Sequence, residues 1–180
     1  EHMNDANVVL FPEKINGRTV STIGYSCFYN NMDVKKVVLP DTIVEIEHNA
    51  FMYCQELESV NFPDSLKTVG NSAFISCSNL TNLYLNNIEK LGTHVFKQCY
   101  SLYEMYVSGS LTTVPARTFD QCENMKKLVF EDGVKTIEAK AALDLESVEM
   151  IRIPRSVTSI GAYSLGYCSN YDKYDRMDNV

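Results

Sequence analysis

The chain has 180 residues, 45% apolar and 22% charged, with 23 acidic against 16 basic side chains and a net charge of −7. That apolar content suits one domain or one compact array with a buried core and excludes a disordered chain. The acidic balance without a Lys/Arg cluster excludes sequence-independent nucleic-acid binding, and no stretch approaches the roughly 20 apolar residues of a membrane helix.

Residues 1–3, with His2-Met3 before Asn4, read as a cloning remnant, which leaves the compartment open. From there the chain repeats itself. Phe28, Phe51, Phe74, Phe96 and Phe119 recur at steps of 23, 23, 22 and 23, and Leu165 falls two periods later. Five residues before each position sits an aliphatic, Ile23, Ile46, Val69, Leu91, Val114, Ile137 and Ile160. Three before those sit Val20, Ile43, Leu66, Ile88, Leu111, Val134 and Val157. Cys54, Cys77, Cys99, Cys122 and Cys168 follow three positions after the aromatic column. Val37, Val60, Leu83, Met105, Leu128 and Ile151 lead a further pair of columns two residues apart.

A unit this small cannot bury its own apolar side, so copies must stack, and the period predicts a repeat solenoid. The V-x-L piece has period two and predicts a short strand with an inward apolar pair, ended by Pro40, Pro63 or Pro154. The second aliphatic pair, closing on Gly24, Gly70, Gly92 and Gly161, predicts another short extended piece and a tight turn. The A-F-x-x-C piece has spacings of three and predicts a helical or 3₁₀ turn. Early in the chain, Ile15-Asn16-Gly17-Arg18 holds an insertion as a turn. In the sixth unit Ala142, Leu145 and Glu138 stand in the Phe, Cys and Gly columns, and "EAKAALDLESVEM" is expected to be a more regular helix. Residues 169–180, with Tyr171 and Tyr174, read as a polar cap or tail.

The copies "LESVNFPDSLKTVGNSAFISC" and "VKKVVLPDTIVEIEHNAFMYC" resemble the leucine-rich repeats of the BspA-like, or treponemal, type. The resemblance runs from about Val8 to Cys168. It implies a right-handed leucine-rich repeat superhelix of short parallel β-strands with helical or 3₁₀ turns, about seven repeats over residues 4–168. It further implies an extracellular or cell-surface adhesion protein that binds host, matrix or other surface proteins. No preceding cap strand is evident, so a fragment of a longer protein is expected.

Chemistry is sparse. Five cysteines share one column about 5 Å apart with parallel Cβ vectors, which suits buried free thiols rather than disulfides or a zinc site. Cys27 lies outside the column and is expected half-buried. His48 and His94 fall in turns two units apart, too far for a shared metal, and read as surface residues. Asn79-Leu80-Thr81 is a lone sequon. No nucleophile sits beside a base in any motif, so no catalytic residue, cofactor or metal is expected.

What remains is surface. By register the outward strand residues are Lys36 and Val38, Ser59 and Asn61, Asn82 and Tyr84, Glu104 and Tyr106, Lys127 and Val129, Met150 and Arg152. Tyr84 and Tyr106 should lie side by side on adjacent strands. Tyrosine is large, stiff and amphipathic, a residue of contact surfaces. The expected partner site is Tyr84 and Tyr106 with Asn61, Asn82, Glu104, Lys127 and Arg152. A structural spacer and an intracellular interaction scaffold are the alternatives.

Overall fold

The computed structural model describes residues 7–168 and 174–175. Its strands are Val8–Leu10 (β1), Lys14–Ile15 (β2), Arg18–Thr19 (β3), Thr22–Ile23 (β4), Lys36–Val38 (β5), Glu45–Ile46 (β6), Ser59–Val60 (β7), Thr68–Val69 (β8), Asn82–Leu85 (β9), Lys90–Leu91 (β10), Glu104–Val107 (β11), Thr113–Val114 (β12), Lys127–Phe130 (β13), Thr136–Ile137 (β14), Met150–Arg152 (β15), Ser159–Ile160 (β16) and Tyr174–Asp175 (β17). Strands alternate between two parallel ladders. One holds β1-β5-β7 and β9-β11-β13-β15-β17, the other β4-β6-β8-β10 and β12-β14-β16. Their register equals the sequence repeat: Met105 faces Leu83 and Leu128, and Ile46 faces Ile23 and Val69. Each residue therefore sits on its own counterpart in the next coil, and a column in the sequence becomes a row in space. The result is a β-solenoid of about six turns of parallel strands. Among the described residues only β2 and β3 pair antiparallel, across the insertion, where Asn16 (φ 51°) and Gly17 (φ 77°) take the two positive-φ positions of a type I′ hairpin turn.

The third side of each coil corrects one expectation. The A-F-x-x-C segment, the sixth-unit segment around Ala142 included, is a chain of β-turns, and no helix or 3₁₀ turn occurs among the described residues. Within a coil, Ala50, Met52 and Cys54 N–H groups donate to the Glu47, Asn49 and Phe51 carbonyls. Between them, Asn49, Phe51 and Tyr53 donate to Asn71, Ala73 and Ile75 of the next coil, at 3.0, 2.8 and 2.9 Å. Such outward donation requires positive φ two residues to either side of the Phe: Asn49 (57°) and Tyr53 (65°), Ser72 (56°) and Ser76 (57°), His94 (60°) and Gln98 (61°). A helix needs negative φ throughout and satisfies its amides internally. A left-handed non-glycine residue costs about 1–2 kcal/mol, offset here by a hydrogen bond to the neighbouring coil.

Inside, the Phe column is a stack of rings. Centroids lie 5.1 Å apart for Phe28–Phe51, 5.0 Å for Phe51–Phe74, 5.6 Å for Phe74–Phe96 and 5.9 Å for Phe96–Phe119, all within 17° of parallel. The stack ends at Ala142. Phe62 touches Phe74 from twelve residues upstream at 5.6 Å, and Phe130 stands the same distance before Ala142, fully buried, so the large side chain has moved to the adjoining column. The Gly column follows from close stacking: a Cβ on Gly70 would meet the backbone of Glu47 and His48 in the preceding coil. Where Glu138 replaces that glycine, its Oε2 accepts the Ala116 amide at 2.9 Å.

The column cysteines are free thiols, as expected. Each donates to a carbonyl of the preceding coil: Cys77 to Phe51, Cys99 to Phe74 and Cys122 to Phe96, all at 3.1 Å, and Cys54 to Phe28 at 2.9 Å. Burial pushes the thiols of Cys54 and Cys168 up to about 11 and those of Cys77, Cys99 and Cys122 well above the ordinary range. Cys27, expected half-buried, is exposed, beside Phe28 and outside the cysteine column.

Among the described residues each ladder has one seam, and the two do not coincide. The first parts between β7 and β9, the second between β10 and β12. The second seam has a covalent cause. Glu47, Gly70, Glu138 and Gly161 donate their amides to Ile23, Ile46, Val114 and Ile137. The equivalent residue over Leu91 is Pro115, which has no N–H to give. Between the seams lies the shortened repeat: Leu85 and Ile88 are three residues apart where Phe62 and Leu66, or Val107 and Leu111, are four apart. Of residues 169–180, read as a polar cap, all but Tyr174–Asp175 lie outside the described residues, as do residues 1–3. Those two extend the first ladder beside Ile151 and Arg152.

Two expectations follow. Phe74→Ala, with ring neighbours on both sides, should cost about 3–5 kcal/mol in chemical denaturation, and Phe28→Ala, half-buried near the end, clearly less; equal losses would count against a one-dimensional stack. A thiol with a raised native pKa stabilises the fold below its unfolded pKa and loses that contribution as pH rises toward the native one. Stability should therefore fall from about pH 8.5 upward, and Cys77→Ala with Cys99→Ala should flatten that slope. Native thiol labelling should reach Cys27 alone.

Candidate functional site on the strand face

The first ladder turns alternate residues outward. Because β9, β11 and β13 are in register, Tyr84 lies opposite Tyr106, Glu104 opposite Asn82 and Lys127, and Tyr106 opposite Val129. The core beneath is complete without the tyrosines: Leu83, Leu85, Met105 and Val107 are buried. The two rings stack at 6.1 Å with 24° between planes. Lys127 Nζ donates to the Tyr106 hydroxyl at 2.7 Å and sits 5.0 Å from the Tyr106 ring centroid. That hydroxyl donates in turn to Glu104 Oε2 at 3.3 Å. The Tyr106 hydroxyl raises the pKa of the exposed Lys127 ammonium above its usual range. Tyr106 is thus clamped by stacking, a cation and a carboxylate, while Tyr84 remains 59% exposed.

The other expected members fare differently. Asn61 is in the row, yet its amide turns back on the preceding coil, accepting from Leu39 N–H at 2.7 Å and donating to the Leu39 carbonyl at 2.9 Å. It brackets two coils rather than presenting a free amide. Asn82 is described only in its backbone. Arg152 is exposed, separated from Tyr106 by Val129, which is buried despite its outward register. Arg152 borders a small hollow with Asp132, Ile153, Pro154 and Arg155. The structure therefore brings together Tyr84, Glu104, Tyr106 and Lys127 and leaves Asn61 and Arg152 apart.

Sequence reasoning missed a second polar assembly on the turn side. Asp120, buried, receives Lys97 Nζ and Arg117 Nη1 on the same Oδ2, each at 2.9 Å. Ser76, Gln98 and Gln121 form a side-chain ladder beside it at 2.8 and 3.0 Å. The signal was present, since Lys97 and Asp120 lie one period apart on a row. His94, in the same region, is half-buried; burial first, then Arg117 and Lys97, hold its pKa below the usual imidazole value. His48 is exposed and accepts the Asn71 amide on Nδ1 at 2.8 Å. At the second seam a groove of about 350 Å³ opens between Leu91–Thr93 and Leu111–Thr113, with Pro115 and Glu138 on its wall. Among the described residues no three His, Cys, Asp or Glu side chains gather as a metal site, and no helix is long and apolar enough to cross a membrane.

Known structures share this architecture. A leucine-rich cell surface protein from Faecalibacterium prausnitzii A2-165 superposes with a TM-score of 0.81 at 29% identity, covering 90% of this chain and 45% of its own. A leucine-rich repeat protein from Bacteroides ovatus ATCC 8483 gives 0.81 at 26%, covering 91% and 44%. The Treponema pallidum leucine-rich repeat protein gives 0.82 at 22%, covering 91% and 77%, a likeness of fold. This chain thus spans less than half of the first two. No curated protein matches the sequence. Six copies of the BspA-type leucine-rich repeat region match residues 21–145 and 106–180, and the chain belongs to that family.

Proposed function

We propose that residues 4–168 form a non-catalytic binding module of a cell-surface or secreted protein, which captures a protein partner through the strand face centred on Tyr84 and Tyr106. The observation that carries this reading is the tyrosine pair itself. Two large rings stand on the solvent side of a finished core, one clamped by Lys127 and Glu104 and the other open. Rigid aromatic side chains lose little entropy on contact and dominate many interfaces. Glu104 and Lys127 flank the pair, Asn82 adjoins it by register, and Asn61 and Arg152 mark the ends of the row. The cell-surface protein of F. prausnitzii supports the location. An intracellular interaction scaffold is the second reading, favoured by the column of reduced thiols.

Tyr84→Ser combined with Tyr106→Ser should leave the melting temperature within a few degrees, since neither ring fills the core. The same variant should lose binding to cells or to the captured protein in a pull-down. Unchanged binding would reject the strand face.

A further inference from the structure

The second seam leaves backbone groups without partners. Elsewhere in that ladder three amides of each coil donate to two carbonyls of the coil before: Glu89 and Lys90 to Lys67 with Gly92 to Val69, then Lys135 and Thr136 to Thr112 with Glu138 to Val114. Between these steps the set is missing. Among the described residues the carbonyls of Glu89 and Leu91 accept no hydrogen bond and the amides of Thr112 and Thr113 donate none, while Pro115 has no N–H. The two coils stay joined on their other sides, by β9 with β11 and by the His94 and Phe96 amides, which donate to the Ala116 and Thr118 carbonyls at 3.2 and 2.9 Å. The groove of about 350 Å³ is thus a slot in one wall of a continuous array. Its inner side is apolar: Leu91 is half-buried, whereas Ile46, Val69, Val114 and Ile137 of the same column are buried.

We propose that this slot receives a short extended segment of a protein partner, lying parallel to β10 and β12 with an apolar side chain beside Leu91. The two walls define the occupant. Acceptors stand on the β10 side and donors on the β12 side, so the ligand must donate one way and accept the other. An extended backbone carries both kinds of group on both edges, and an unpaired strand edge is a template for one. The neighbouring step shows the geometry, since a single carbonyl, that of Thr112, accepts the amides of Lys135 and Thr136 at 2.8 and 3.1 Å. A carbonyl of the segment would take the Thr112 and Thr113 amides in the same manner. Charge has little part in it. Glu89 is engaged by Lys67 at 3.8 Å and the Glu138 carboxylate holds the Ala116 amide, which leaves backbone bonding and the contact with Leu91 to carry recognition. The slot lies on the ladder opposite the tyrosine pair and is independent of it.

The test uses the whole chain with its amides labelled for NMR. It is titrated with the acetylated, amidated peptide Val-Lys-Thr-Ile-Glu, the sequence of Val134–Glu138, which bonds in this way within its own coil. The Thr112 and Thr113 amide signals should shift and their hydrogen exchange should slow, while Glu45 and Thr68, whose amides are already bonded in the ladder, stay unchanged. The same peptide N-methylated at Thr and at the final Glu lacks the donors for Glu89 and Leu91, and should bind about ten-fold or more weakly for the loss of two hydrogen bonds. N-methylacetamide, a lone amide, should do nothing at the same concentration. Equal binding of the N-methylated peptide would overturn the proposal, as would an equal response to N-methylacetamide, which would mark a pocket for single amides. So would shifts confined to the outer strands β4 and β16, or no Thr112 and Thr113 shift up to the solubility limit of the peptide, which would leave the slot to solvent. Tyr84→Ser with Tyr106→Ser should bind the peptide as the native chain does. Loss of peptide binding in that variant would move the peptide to the tyrosine face and reject the slot.

Discussion

Everything in this molecule depends on each coil sitting about 4.8 Å from the next with the same residue on the same residue. That spacing is set by parallel backbone bonding on three sides, two strand ladders and a turn ladder. It forces like side chains into contact: rings on rings, thiols against the preceding carbonyls, glycines where backbones meet. A single coil has no stability of its own, because its apolar interior is half of two interfaces. Long-range order therefore comes from short-range agreement, repeated.

This is why so much of the fold could be read from the sequence. The columns Val37-Val60-Leu83 and Ile23-Ile46-Val69 are ladders written out one period at a time, and reading them vertically yields the strand register. The turn side was less legible for a physical reason. A spacing of three between Phe and Cys is shared by a 3₁₀ turn and by a chain of β-turns with alternate residues in the left-handed region. What separates them is the destination of the amides of Asn49 and Tyr53, and no local pattern records that. Only glycine or a concentration of asparagine would have announced positive φ, and here the positions carry Ser, His, Gln, Arg and Lys as well.

The candidate site divides in the same way. Register alone predicted that Tyr84 and Tyr106 would be neighbours, and they are. It could not tell that Asn61 would spend its amide on Leu39, that Val129 would be covered, or that Lys127 would extend to the Tyr106 hydroxyl. Those outcomes depend on side-chain reach between coils, and the alternation of inward and outward residues contains nothing about reach. Asp120 shows the converse. Its two cations stood one period and three residues away in plain view, but a charged residue in a turn segment is read as solvated until its burial is known.

The offset of the two seams has a mechanical meaning. Residues 82–91 belong to both halves of the array: β9 is bonded to the coils that follow, and β10 to the coils that precede. The joint is lapped, as planks are overlapped so that no saw line passes through two gaps at once. Torsion or bending can be absorbed at either interruption, and pulling the halves apart must still break a continuous ladder on another side. Pro115 and the missing residue before Ile88 thus mark where the two ladders overlap, and Tyr84 stands at the edge of that overlap.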